Sequence, residues 1–154
     1  IDAGLVTFLQ EKEGLDADGV NKVLNKKSGF LGVSGVSSDG RDITAAADSG
    51  NYRAALSQQM FAHSVKKYIG AFSAVMGGLD LIVFTGGIGE NDTAARERIC
   101  STLGYLGVDF DAEVNAGIHG DDAIITKEGS KVKAAVIATN EELVIATDTM
   151  NLVK

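Results

Sequence analysis

The chain has 154 residues, 45% of them hydrophobic and 23% charged, with a formal net charge of −7. That length allows one sizeable core, and an acidic balance without a basic stripe argues against nucleic acid as a partner. No apolar run approaches the roughly 18 to 20 residues a membrane helix needs, so no membrane partner is expected.

The sequence holds a lone cysteine, Cys100, which excludes an internal disulfide. With no signal-peptide pattern in the sequence, the expected setting is cytoplasmic. There are 19 glycines and no proline. Average usage of about 5% would give roughly seven or eight prolines, so the turns are expected to rely on Gly, Asp, Asn and Ser. The chain opens at Ile1 within what reads as ongoing structure, and a fragment of a longer protein is expected.

The first helix is expected over residues 2–13, with Asp2 as its N-cap, Leu5, Val6, Phe8 and Leu9 as its apolar side and Gly14 as its stop. A second runs from Asp16 to about Lys26 and buries Val20, Val23 and Leu24. Ser28 to Asp42 is too rich in Gly and Ser for a regular element, yet Phe30, Leu31, Val33 and Val36 are spaced through it. It reads as an ordered loop, after which Ser37, Ser38 or Asp39 caps a helix to about Asp48.

Residues 52–76 form the longest regular segment, whose stripe of Leu56, Met60, Phe61, Val65, Tyr68, Ile69, Phe72, Val75 and Met76 is expected to face a core. Leu81 to Phe84 reads as a strand, followed by a tight loop through Asn91 and a helix from Asp92 or Thr93 to about Leu103. A short strand at 108–110 and a short helix at 111–116 follow. Two strands, 122–126 and 131–138, are then joined by the turn Glu128-Gly129-Ser130. The second is nearly apolar on both faces, which suggests a central place in a covered sheet. Asn140-Glu141-Glu142 opens a last helix to about Leu152. Strands alternating with helices predict an α/β fold with a parallel or mixed sheet.

Three constellations can carry chemistry. Gly86-Gly87-Ile88-Gly89 ends a strand and begins a helix, where backbone N–H groups favour anions and glycine lets a ligand approach. A tight turn with no ligand explains it equally, and neither nucleotide-binding glycine fingerprint applies, since no lysine follows. Asp39-Gly40-Arg41 is either a surface ion pair or a ligand contact, with Asp39 accepting from a hydroxyl or amine and Arg41 offering a planar donor fork. Thr139-Asn140-Glu141-Glu142 is either helix capping or a carboxylate at a strand end that holds Mg²⁺. His63 and His119 have no spaced partner and are read as structural or solvated, and Cys100 as a small buried residue.

Three runs carry a resemblance: Leu24 to Asp39 (LNKKSGFLGVSGVSSD), Val83 to Asn91 (VFTGGIGEN) and Ile137 to Ala146 (IATNEELVIA). Together, in this order and spacing, they resemble the C-terminal part of acetate kinases across essentially the whole chain. The resemblance implies an actin-like, sugar-kinase-like ATPase domain with a ribonuclease H-like motif, its mixed sheet flanked by helices. It makes residues 1–154 a single C-terminal nucleotide-binding domain. It also implies reversible phosphoryl transfer from ATP to acetate, giving acetyl phosphate and ADP, with Mg²⁺ required and a homodimer as the assembly.

By the same resemblance, Asp39, Gly40 and Arg41 lie on the adenine side, and Gly87, Ile88, Gly89, Glu90 and Asn91 cradle the nucleotide. Glu141 helps hold Mg²⁺. The family's catalytic aspartate, transition-state arginines and acetate pocket match nothing here, so no catalytic residue is expected in this chain. Acetate or acetyl phosphate would be met through an N-terminal part. Ala138 stands where the family commonly has proline, and Gly40 where a larger residue is usual. Both are expected to loosen backbone beside a site. A propionate or butyrate kinase shares these motifs. A nucleotide-binding module without chemistry, or a dimerisation domain, also remains open.

Overall fold

The computed structural model describes residues 1–153. They form two compact units, Ile1–Phe61 and a second from Ala62 onward.

The first unit is helical. Helix α1 (Ala3–Glu13) starts where Asp2 accepts the Gly4 N–H at 2.7 Å and stops where Gly14 takes φ 63°. Helix α2 (Ala17–Lys22) is capped by Asp16, which accepts the Gly19 N–H at 2.8 Å. The helix expected to reach Lys26 widens instead into a π-helical turn, Val23–Lys27, and the Ser28 hydroxyl donates to the Val23 carbonyl at 2.8 Å.

The stretch expected as a loop contains a helix, α3 (Gly29–Ser34). Glycine costs up to about 1 kcal/mol per helical position. Two anchors offset that cost. Phe30 lies against Phe61 with ring centroids 5.6 Å apart, and the Ser34 hydroxyl donates back to the Phe30 carbonyl at 2.6 Å. Helix α4 (Gly40–Asp48) is capped by Asp39, as expected, and buries Ile43.

Helix α5 (Tyr52–Met76) has the expected bounds but not a single core-facing stripe. Nine apolar positions over 25 residues wrap around more than one face. The residues that bury fully are small or polar, Ala54, Ser57, Gln58, Ala62 and Ser73. Val65 and Ile69 pack on the core of the second unit, whereas Met60, Tyr68, Phe72, Val75 and Met76 are exposed.

The second unit is built on a three-stranded sheet of order β1-β3-β2. Strand β1 (Leu81–Phe84) pairs in parallel with β3 (Lys133–Val136), Phe84 opposite Val136. Strand β2 (Ala123–Ile124) is antiparallel to β3. The nearly apolar β3 is therefore central, as its composition suggests. Val108 and Phe110 form single bridges rather than a strand.

Period-two alternation sends Ile82, Phe84, Ala134 and Val136 to one face, where they meet Ala62 of α5 and Ile99 and Cys100 of α7 (Thr93–Cys100). The opposite face buries the small Ala135, but its larger residues Leu81, Val83, Ile124 and Ile137 are between 41% and 50% exposed, so among the described residues only one side of the sheet packs on the core cluster. The expected tight loop after β1 is helical, α6 (Gly86–Asn91). Helix α8 (Ala112–Ala116) is capped by Asp111. Helix α9 (Glu141–Leu152) is capped by Asn140 and buries no residue.

Ile125, fully buried beside β2, sits at the centre of this core and donates its N–H to the Ala134 carbonyl at 2.8 Å. Truncation there leaves a cavity, and Ile125→Ala is expected to lower the unfolding free energy by about 2–5 kcal/mol in urea melts.

Candidate functional site

The end of β1 and the start of α6 form a corner of the second unit held by many hydrogen bonds. Thr85 is extended, and Gly86 turns the chain at φ 69°, a conformation costly for any residue with a Cβ. Gly89 is required for a different reason: a Cβ there would lie 3.0 Å from the Phe84 backbone carbon. A Cβ on Gly87 would meet nothing within 4 Å. Of these three glycines, Gly87 alone is free of both a left-handed φ and a close neighbour. The others shape the turn, and Gly87 keeps its outer surface flat.

The carbonyls of this turn are held one by one. Asn91 Nδ2 donates to Gly87 O at 3.1 Å, and the Asp92 N–H to Ile88 O at 2.9 Å. Arg96 Nη1 donates to both Gly89 O and Glu90 O at 2.8 Å, and the Gly120 N–H adds a bond to Glu90 O. His119 Nδ1 lies 3.3 Å from the Asn91 carbonyl.

Arg96 is fully buried. Its remaining donors reach Asn115 Oδ1 at 2.7 Å and the carbonyls of Asn115 and Ile118. Burial pulls its pKa down, and Asp92 nearby pulls it back up. The motifs in the sequence do not point to Arg96. Its spacing does, because it falls in register with Ile99, Cys100 and Leu103 on the inward side of α7.

Glu90 joins this turn to the end of β3. Its Oε1 accepts from the Gly86 N–H at 2.8 Å, the Thr139 N–H at 2.9 Å and the Thr139 hydroxyl at 2.8 Å. Those donors, Thr139 first, hold its pKa below the ordinary glutamate value. One residue earlier, the Ala138 N–H donates to Asp122 Oδ1 at 2.8 Å. The backbone at Ala138 is thus pinned rather than loosened. A proline there would lack the N–H that Asp122 takes. Immediately beyond, Asn140 caps α9 by accepting from Leu143 at 3.0 Å, and Glu141 stands exposed in the first turn.

Asp39 and Arg41 lie in the first unit. Asp39 Oδ1 caps α4 by accepting the Arg41 N–H at 2.8 Å, and the Arg41 fork closes on the same carboxylate at 3.1 and 2.6 Å. The Arg41 side chain is 91% exposed, so its outer edge faces solvent. The guanidinium beside Asp39, with the capping bond, lowers that carboxyl to about 2.

The structure therefore brings Gly87, Ile88, Gly89, Glu90 and Asn91 into one turn and ties it to the segment that leads to Glu141. Cys100 is buried and its thiol is pushed up to about 12 by that burial, which suits a packing role. Among the described residues no group of three or more His, Cys, Asp or Glu gathers as a metal site.

A family model described as the Acetokinase family matches residues 1–147. The chain is 53% identical over 154 residues to the acetate kinase of Bacteroides thetaiotaomicron, covering all of this chain and 39% of that protein. The crystal structure of Porphyromonas gingivalis acetate kinase superposes with a TM-score of 0.89 at 50% identity, covering 100% of this chain and 39% of that one. A propionate kinase structure from Francisella tularensis matches at TM-score 0.82 and 36% identity over 95% of this chain and 37% of that one. The chain thus spans about two fifths of the length of the relatives it matches.

Two substitutions separate the roles of the glycines. Gly87→Ala is expected to leave the thermal midpoint unchanged or raised, because its Cβ would meet nothing within 4 Å. Gly89→Ala is expected to lower the midpoint, since its Cβ meets the Phe84 backbone.

Asp39 titrates in a defined window. A carboxyl lowered from 3.8 to about 2 on folding stabilises the folded chain above 3.8, and this contribution disappears as pH falls towards 2. In Asp39→Asn, acid unfolding followed by circular dichroism is expected to lose that part of its pH dependence while the neutral-pH helix content persists.

Proposed function

The chain belongs to the acetokinase family, and on that premise we propose that it is the C-terminal nucleotide-binding domain of an acetate kinase. In this reading the whole enzyme transfers a phosphoryl group from ATP to acetate, reversibly, and releases acetyl phosphate and ADP. The chain has the fold of the acetate kinases, the actin-like ATPase fold, with a mixed sheet and flanking helices.

The observation that carries the reading is the α6 turn at the carboxyl end of β1, with Gly87 open to a ligand and the turn tied to the segment before Glu141. Ligands of open α/β sheets sit at such strand ends. The backbone of the turn Gly87 to Asn91 takes the phosphate side of the nucleotide, and Asp39, Gly40 and Arg41 take its adenine side.

Phosphoryl transfer rests on positioning and on neutralising charge in the transferring group. Mg²⁺ supplies part of that neutralisation when bound. Glu141, an exposed carboxylate at the start of α9, fits a cation that takes one or two protein carboxylates and fills its remaining positions with phosphate oxygens and water. The acetate pocket and the cationic clamp on the transferring phosphoryl belong to the rest of the enzyme.

Two exposed apolar surfaces support work within a larger assembly. The uncovered sheet face of Leu81, Val83, Ile124 and Ile137 suits burial by the remainder of the enzyme. The outer side of α5, where Tyr68 and Phe72 stack at 6.1 Å between Met60 and Met76, suits a homodimer contact. No described helix is long and apolar enough to cross a membrane. A cytoplasmic setting fits a lone buried thiol. Propionate or butyrate kinase is the second reading, favoured by the Francisella tularensis propionate kinase match. The choice of acyl group rests on residues outside this chain.

The purified 154-residue chain is expected to form no acetyl phosphate from ATP and acetate in a coupled assay. It is expected to bind ADP weakly, and Asp39→Ala should abolish that binding. Measurable turnover by the chain alone would overturn the division of labour. Tight ADP binding without turnover by any longer form would favour a binding module instead.

A further inference from the structure

Within the nucleotide reading just given, on which this inference rests, we propose that Glu90 is a positioning residue that links nucleotide binding to Mg²⁺ binding rather than a ligand of the nucleotide. Three donors converge on its Oε1, one from the turn (Gly86 N–H) and two from the far side of the strand pair (Thr139 N–H and hydroxyl). With three protein donors Oε1 is fully engaged, so the carboxylate's orientation is fixed by the protein itself.

The bond to Thr139 spans 49 residues of sequence. It joins two segments that leave neighbouring parallel strands, α6 after β1 and the lead into α9 after β3. Beyond Phe84 and Val136 the last rung of the ladder is the Ile137 N–H donating to Phe84 O at 2.9 Å. Glu90 continues the connection past that rung, where the backbones diverge into helices.

The geometry makes the two ends of the tie mechanically equivalent. On one side, Gly86 is the residue whose left-handed φ aims the turn. On the other, Thr139 lies two residues before Glu141 and one before the cap residue Asn140. Asp122 holds the neighbouring Ala138 N–H, so the Thr139 segment is clamped from both flanks. A ligand seated on the α6 turn is therefore joined through Glu90 to the α9 N-terminus, and a cation held at Glu141 is joined through the same contact to the turn. Such linkage between two sites is reciprocal by thermodynamic necessity.

The test is the effect of Mg²⁺ on ADP affinity, measured by calorimetry in the full-length protein containing residues 1–154. In the wild type, Mg²⁺ is expected to tighten ADP binding. In Glu90→Gln, which keeps the size but loses the charge that gathers three donors, that tightening is expected to shrink roughly 10-fold or more, the scale typical of residues that support metal ligands. ADP affinity without Mg²⁺ should change much less. Thr139→Val, which removes one donor, should reproduce part of the loss, and Thr139→Ser should restore it.

The double variant Glu90→Gln with Thr139→Val should lose no more than Glu90→Gln alone, since both act through one contact. Equal loss of ADP affinity with and without Mg²⁺ in Glu90→Gln, with Thr139→Val unaffected, would make Glu90 a direct nucleotide contact and overturn the proposal. Full Mg²⁺ dependence in Glu90→Gln would overturn it too. A wild type that binds no ADP would overturn the nucleotide reading and this inference together.

Discussion

A buried guanidinium holds the candidate site in shape. Arg96 is fully buried with no carboxylate hydrogen-bonded to it, and its donors end on the carbonyls of Gly89, Glu90, Asn115 and Ile118 and on Asn115 Oδ1. Burying an ion costs several kcal/mol unless its donors are satisfied. Here they are satisfied by four main-chain carbonyls and the Asn115 side-chain oxygen. The last carbonyls of a short helix have no intrahelical donor, and α6 ends beneath Arg96. One side chain thus removes two penalties, its own desolvation and that of the α6 C-terminus. Asn115 completes the arrangement by donating to Thr93 O at 3.0 Å, which ties α8 to the start of α7.

This explains how a segment with three glycines in four positions holds one conformation. Gly86, Gly87 and Gly89 would each leave the unfolded chain unusually free, and six residues are too few for a helix to persist alone. Tertiary hydrogen bonds do what propensity does not. Glu90 fastens the first N–H, Asn91 and Asp92 hold the middle carbonyls, and Arg96 with Gly120 holds the last ones. The turn carries glycines because its backbone must approach Phe84 on one side and leave an open surface on the other. It is rigid because charged and amide side chains around it leave few groups unpaired.

Much of this architecture was legible in residue patterns. Asp2, Asp16 and Asn140 read as caps and act as caps, as does Asp39, one of three candidates before α4, because capping is a local contest between a side chain and a few backbone N–H groups. The strand Leu81–Phe84 and the central place of β3 followed from apolar runs. What the patterns missed is non-local. Glycine content hid α3, whose order comes from Phe30 on Phe61, and it hid the helical form of α6. Apolar content overstated the core side of α5, because a helix period does not say which of two apolar faces is covered. Arg96 reaches Asn115 across 19 residues of sequence and Glu90 reaches Thr139 across 49, separations no local motif reports.

The departure at Ala138 shows the same physics from another direction. A proline would restrict φ at that position but would forfeit the N–H that Asp122 accepts. Alanine leaves the unfolded backbone freer, and the folded chain answers with a bond from the Ala138 N–H to Asp122, next to the bonds from Thr139 to Glu90. Covalent restriction is replaced by two carboxylates that grip consecutive residues. Order before Glu141 then depends on ionised side chains as well as on the sheet. In the segment that leads from β3 into α9, as at the Arg96 end of α6, backbone order is thus held by charged side chains.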